Sequence, residues 1–146
     1  FFFKAHPATR APLWSRGLGD VYKRQTFGGN LVDMMRFKLV LEVIEEENLL
    51  NNAKKVGSYL LSELQNLEHS YPAYLTNSRG LGLWAAFDLP SMTERDELWS
   101  KMLENKLLIL PSGDKSIRFR PHLNVNKQEI DEAIGIIEMS IKQCLK

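Results

Sequence analysis

The sequence has 146 residues, of which 44% are hydrophobic and 25% are charged, a composition typical of one soluble globular domain. Residues 1–25 carry a net charge of +4 and the other 121 residues carry −3, which argues against the clustered basic surface of a nucleic-acid-binding protein. Charges interrupt every apolar run, so no membrane span is predicted, and the single cysteine, Cys144, favours a reducing, cytoplasmic setting.

Residues 1–25 have neither helical nor alternating periodicity. They begin with three phenylalanines and continue through several prolines and glycines. Their apolar run is too short for the hydrophobic core of a signal peptide. We interpret residues 1–25 as a non-native or disordered leader and residues 26–146 as the folded domain.

The folded part begins with a predicted helix. Residues 26–30, Thr-Phe-Gly-Gly-Asn, precede apolar residues at near-helical spacing, and Asn30 with Asp33 resembles a capping pair. Free N–H groups and the helix dipole favour an anion such as a phosphate at this position. A plain capped helix start is the simpler explanation of the same residues.

The rest of the chain alternates between helical and strand patterns. Apolar stripes predict helices from Leu49 to Leu67 and from Ile130 to Cys144, the second opened by a capping box of Asn126 and Glu129. Ser91 or Thr93 is predicted to cap a shorter helix that lies between these two helices in the sequence. Strands are predicted at 81–88, 107–110 and 114–120. In the first of them, alternation places Leu81 on the same face as Leu83, Ala85 and Phe87. The order predicts an α+β domain with about three largely antiparallel strands and helices on one face.

One arginine stands out in the last predicted strand. Alternation places Ile117 and Phe119 on one face and Arg118 and Arg120 on the other. A buried arginine there would bind a carboxylate or a phosphate, whereas an exposed one would be an ordinary surface residue. The pattern leaves both open for Arg118 and favours a local structural contact for Arg120. No spacing of ligands predicts a metal site.

Three segments in this order resemble the class III, or ω-amino-acid, aminotransferases that depend on pyridoxal phosphate. They are residues 26–30, the Arg-Gly-Leu-Gly turn at 79–82, and Asp-Lys-Ser-Ile-Arg-Phe-Arg-Pro at 114–121. The resemblance covers residues 26–146. Within the class, the Gly-Gly-Asn form of the first segment is most similar to L-lysine 6-transaminases.

The resemblance implies the small C-terminal domain of a fold type I homodimer, with the cofactor between this domain and a large one. Thr26 would then bind the phosphate of the cofactor held by the partner subunit, and Gly28 and Gly29 would let the backbone approach it. Arg118 would face the substrate pocket, where it binds a substrate carboxylate or a gating glutamate of the large domain. Gly80 and Gly82 would serve the fold.

The implied activity moves the terminal amino group of L-lysine to 2-oxoglutarate, with 4-aminobutyrate or another ω-amino acid as the alternative donor. The lysine that forms a Schiff base with the cofactor lies upstream in the family, and no lysine here stands in a matching context. We therefore expect no catalytic residue in this chain and no activity from it alone. A stand-alone regulatory or protein-interaction domain is the alternative from another class.

Overall fold

The computed structural model describes residues 30–145, and the chain divides into two compact units, Phe1–Val43 and Ile44–Lys146. The leader predicted at 1–25 lies outside the described residues, so its interpretation stays a prediction. No helix in the described range is long and apolar enough to cross a membrane.

Helix α1 (Leu31–Glu46) accounts for most of the described part of the first unit. The side chain of Asn30 accepts a 3.0 Å hydrogen bond from the backbone N–H of Val32, which confirms its predicted capping role. Asp33 lies in the first turn, where its charge complements the helix dipole, and it pairs with Arg36 at 3.1 Å.

The second unit contains both helices and strands, as expected for an α+β domain. Its described elements are α2 (Leu49–Ser70), β1 (Thr76–Leu81), β2 (Trp84–Asp88), α3 (Met92–Glu104), β3 (Leu110–Ser112), β4 (Ser116–Phe119) and α4 (Lys127–Cys144). The strands form one sheet in the order β1-β2-β4-β3, and every neighbouring pair is antiparallel. The α+β class is confirmed, with four strands rather than about three.

The additional strand is β1, which lies almost wholly before the alternating segment at 81–88; that segment contains the last residue of β1, a turn and β2. Leu81 of β1 pairs with Trp84 of β2, so Gly82 and Leu83 form a two-residue turn. Gly82 has φ +57°, a conformation that favours glycine at such turns. The turn also explains why Leu81 is 89% exposed, although the alternation placed it with the buried Leu83.

One face of the sheet is covered by helices, as predicted. Ala85 and Phe87 of β2 and Ile117 and Phe119 of β4 are buried against apolar side chains of α2, α3 and α4. Within the described range the opposite face, here called the open face, has exposed side chains in its middle, among them Arg118 and Trp84, which is 67% exposed. The core therefore lies on one side of the sheet, and the alternate residues of its strands are available on the other.

Glycines fix the packing of α2 on the hairpin. A Cβ atom added to Gly57 of α2 would overlap the backbone carbonyl of Gly82. One added to Gly80 of β1 would lie 2.5 Å from the carbonyl oxygen of Trp84. The close approach of these backbones supports the fold roles expected of Gly80 and Gly82.

Helix starts follow the predicted capping residues. In α4 the Asn126 side chain accepts from the Glu129 N–H at 3.0 Å, and the Glu129 carboxylate accepts from the Asn126 N–H at 2.9 Å, which completes the capping box. Of the two candidates for the cap of α3, Ser91 is the one that accepts a hydrogen bond, from the N–H of Glu94.

Candidate functional site

Arg118 lies in the middle of the open sheet face. It pairs in register with Ala86 of β2 on one side and with Leu110 of β3 on the other. Its side chain is exposed, and it takes part in none of the ion pairs formed among residues 30–145. The structure therefore places Arg118 on a solvent-exposed surface of the domain, where its hydrogen-bond donors are available to a ligand.

A cleft of about 300 Å³ surrounds Arg118. Small residues form part of its lining, because glycine and alanine occupy positions 80, 85 and 86 of the neighbouring strands. Arg79, Arg118 and Arg120 also line it, together with Trp84. A concave surface with three guanidinium groups and room above a small-residue floor suits a ligand that carries carboxylates.

Arg79 is already engaged by a carboxylate. Its Nη1 donates to Oδ1 of Asp88 at 2.8 Å and to the carbonyl oxygen of Asn77 at 2.9 Å, and its Nη2 donates to Oγ of Ser116 at 3.2 Å. The same Asp88 accepts from the Ser116 hydroxyl at 2.6 Å and from the Asn77 amide at 2.8 Å. The charge of Arg79 is thus compensated within the sheet.

The electrostatics of Asp88 follow from these contacts. Burial of its carboxylate acts to raise its pKa, but the hydrogen bonds from Ser116, Asn77 and Arg79 and the charge of Arg79 together hold the pKa of Asp88 below its ordinary value. Asp88 is therefore ionised near neutral pH. The sequence contained only a weak signal for this pair, namely an acid at the end of a strand that is otherwise apolar.

Arg120 contacts an aromatic ring instead of an acid. Its guanidinium carbon lies 5.6 Å from the ring centroid of Trp84, a distance at which a cation and an indole attract each other. The local structural contact expected of Arg120 is thus present. The residue also lines the cleft around Arg118, which the sequence pattern did not indicate.

The other predicted binding residues, Thr26, Gly28 and Gly29, lie outside the described residues. The described residue next to them is Asn30, whose side chain caps α1. The segment therefore precedes a helix N-terminus, the position at which backbone N–H groups favour a phosphate. Among residues 30–145, no group of three or more His, Cys, Asp or Glu side chains is placed to hold a metal ion.

The chain is similar to known aminotransferases. The family model of the class III aminotransferases matches residues 1–141. The L-lysine-epsilon aminotransferase of Mycobacterium tuberculosis is 42% identical over 116 residues, which cover 80% of this chain and 26% of that protein. A solved structure of lysine aminotransferase from M. tuberculosis has a TM-score of 0.78 and 41% identity, and the match covers 82% of this chain and 27% of that one.

Relatives of lower sequence identity are named as other aminotransferases. An acetylornithine aminotransferase of Thermosynechococcus vestitus is 36% identical over 118 residues, which cover 80% of this chain and 29% of the relative. A 4-aminobutyrate aminotransferase of Kluyveromyces lactis is 32% identical over 120 residues, which cover 81% of this chain and 25% of the relative. The chain spans between a quarter and a third of the length of these relatives.

Proposed function

The chain belongs to the class III aminotransferases, and we propose that it is the C-terminal part of an enzyme that moves the terminal amino group of L-lysine to 2-oxoglutarate. One observation carries the proposal: Arg118 lies exposed in a cleft with a small-residue floor and has no acidic partner among residues 30–145. A free guanidinium presents a planar pair of donors to a carboxylate. This is the chemistry that an amino-acid or keto-acid substrate requires.

Class III aminotransferases use pyridoxal phosphate, which supplies the group that accepts the amino group from one substrate and returns it to the other. Helix N-termini favour phosphates and residues 26–30 directly precede α1, so we assign Thr26, Gly28 and Gly29 to the phosphate of a cofactor held by the partner subunit of a homodimer. Arg118 would orient the substrate by its carboxylate. We place the enzyme in the cytoplasm.

Lysine is favoured as the amino donor because the relatives with higher identity are named for it. The alternatives are 4-aminobutyrate and other ω-amino acids, which are supported by the lower identities to the K. lactis and T. vestitus enzymes. These donors share a terminal amino group and differ in the chemical groups at the opposite end of the molecule. The residues that contact that end decide between them.

The chain alone is proposed to be inactive, because the catalytic lysine of the family belongs to the part that precedes it. Mixing the purified chain with pyridoxal phosphate, L-lysine and 2-oxoglutarate should give no glutamate above a blank without protein. Glutamate formation that depends on this chain would contradict the absence of a catalytic residue from it.

The full activity is tested on the longer protein that contains this chain. The coding DNA upstream of the Thr26 codon is sequenced, the continuous reading frame is expressed, and kcat/KM is measured with L-lysine, 4-aminobutyrate and N-acetylornithine at saturating 2-oxoglutarate. A preference for L-lysine of about tenfold, equivalent to 1.4 kcal/mol of transition-state binding, supports the proposal. A preference for either other donor would overturn the lysine assignment, and no transfer from any of them would overturn the proposed activity.

A further inference from the structure

Trp84 is a large apolar side chain at the edge of the cleft around Arg118. It lies on the open face, where it is exposed and pairs with Leu81 of β1. Arg118 pairs with Ala86, and Trp84 precedes Ala86 by two residues on the same strand. The indole is therefore one strand away from Arg118 and about 6.6 Å farther along the sheet. This register places an aromatic ring beside the guanidinium and leaves the space above Ala86 open.

The two ends of the small-residue floor differ in their chemistry. At one end the Asp88 carboxylate is bonded to Arg79 and Ser116, so the polar groups there already have partners. At the other end is the indole of Trp84. A hydrocarbon chain loses contact with water against an apolar surface, whereas a satisfied polar network offers it no such gain. The chain of a ligand anchored at Arg118 therefore packs toward Trp84.

The contact with Arg120 holds the indole in place. The guanidinium carbon of Arg120 lies 5.6 Å from the centroid of the Trp84 ring, so the cation is attracted to one face of the indole. The rest of the ring stays accessible, since Trp84 is 67% exposed. A side chain that a neighbour already orients loses little conformational entropy when a ligand packs against it. Trp84 is thus a preorganised apolar surface inside a cleft that otherwise presents arginines and small residues.

We propose that Trp84 is a specificity-determining residue, whose indole forms the wall against which the hydrocarbon chain of a substrate packs while Arg118 holds its carboxylate. The wall favours substrates with several consecutive methylene groups over shorter ones, because each methylene group removed from water adds to binding. The inference rests on the proposed function, because it assumes that Arg118 binds a substrate carboxylate. It adds a separate residue that selects for the length of the substrate chain.

The experiment compares propionate with hexanoate as probes, because both are unreactive monocarboxylates and hexanoate has a longer methylene chain. Each is titrated into the purified 146-residue chain at low ionic strength, where exposed charges are least screened. Binding is followed by NMR through backbone amides and the indole N–H of Trp84, assigned with Trp84→Phe. We expect hexanoate to bind about eightfold more tightly, or about twofold for each added methylene, since one wall shields only part of each from water. Hexanoate should also shift the Trp84 indole signal.

Variants of exposed residues test the role of the indole. Trp84→Ala should reduce the hexanoate-to-propionate affinity ratio below about twofold and leave the propionate affinity unchanged. Trp84→Phe keeps a flat apolar ring and should retain most of the ratio. Leu110→Ala is the matched control, since Leu110 pairs with Arg118 and is 45% exposed but does not line the cleft, and it should leave the ratio unchanged. Amide spectra show that each variant is folded.

The outcomes distinguish the wall from the carboxylate site. No preference for hexanoate in the unmodified chain, an unchanged ratio in Trp84→Ala, or equal losses in Trp84→Ala and Leu110→Ala would contradict the inference and leave the proposed function standing. A propionate affinity that Arg118→Gln does not lower would instead contradict the carboxylate site of the proposed function. Failure of both probes to bind the unmodified chain would contradict both.

Discussion

The carboxylate of Asp88 is bound by the guanidinium of Arg79, with 2.8 Å between Oδ1 and Nη1. Asp88 ends β2 and Arg79 lies in β1, while the Ser116 hydroxyl of β4 donates to the same carboxylate oxygen. Asp88, a residue that is only 8% exposed, therefore links three adjacent strands through its carboxylate. It also compensates one arginine of the cleft and leaves Arg118 available for a ligand.

Removal of this carboxylate should destabilise the domain. Asp88→Ala leaves the donors of Asn77, Arg79 and Ser116 without their acceptor, and we expect the free energy of unfolding to fall by about 1–3 kcal/mol, because Arg79 is half-exposed and can be rehydrated. Urea unfolding followed by circular dichroism at neutral pH measures this change. Asp114→Ala, at an exposed turn, is the control and should cost less than about 0.5 kcal/mol. Equal effects of the two substitutions would contradict a structural role for Asp88.

The contribution of Asp88 should depend on pH. Hydrogen bonds and the charge of Arg79 outweigh burial and lower its pKa in the folded state. Its contribution is therefore present above the ordinary carboxyl pKa of about 3.9 and is lost as the pH falls through the lowered value. The difference in unfolding free energy between the unmodified chain and Asp88→Asn should be constant above about pH 5 and shrink as the pH falls from about 5 to about 2. A difference that stays constant across this range would show that the charge of Asp88 contributes nothing.

Two glycines should respond to alanine in opposite directions. Gly57→Ala places a Cβ atom into the backbone of Gly82, which cannot rotate away, so we expect a loss of about 1–3 kcal/mol. Gly135→Ala adds the same atom to an exposed position of α4 with nothing within 4 Å, and should stabilise the domain by about 0.4–1 kcal/mol. Thermal unfolding of both variants checks the prediction, which would fail if Gly57→Ala were neutral.

The capping box of α4 should contribute measurably to stability. Asn126→Ala removes the acceptor for the Glu129 N–H and should cost about 1 kcal/mol in urea unfolding. Asn51→Ala is a suitable comparison, since Asn51 is exposed in the first turn of α2 and alanine is the better helix former. If both substitutions had the same effect, the cap would not be a source of stability.

Local signals in the sequence predicted much of this architecture. Apolar stripes located the helices, and the pairing of Asn126 with Glu129 fixed the start of α4. Alternation also placed Arg118 on the face opposite Ile117 and Phe119, as the structure confirms. These features depend on residues that are close in sequence, so a periodic pattern or a cap contains the necessary information.

Features that depend on distant contacts could not be predicted in this way. Strand β1 contains Asn77 and Gly80, which have low strand propensity, and it forms because it pairs with β2. Arg95 of α3 is buried and donates to the carbonyl oxygen of Gly113 at 3.0 Å, a contact that no spacing indicated. The availability of Arg118 likewise depends on how the strands pair. The pairing of β2 with β1 and β4 brings Asp88 to Arg79 and Ser116 and not to Arg118.

The most direct test of the account measures the two half-reactions of the longer enzyme that contains this chain, with and without Arg118→Ala. The proposal assigns Arg118 to a carboxylate of 2-oxoglutarate, whereas a gating glutamate of the large domain would neutralise it while lysine is bound. Stopped-flow absorbance of the cofactor gives the rate with L-lysine and, separately, with 2-oxoglutarate. We predict that Arg118→Ala slows the 2-oxoglutarate half-reaction at least about tenfold more than the lysine half-reaction, the loss expected for one charged hydrogen bond. An equal loss in both half-reactions, or none in either, would contradict the assignment of Arg118.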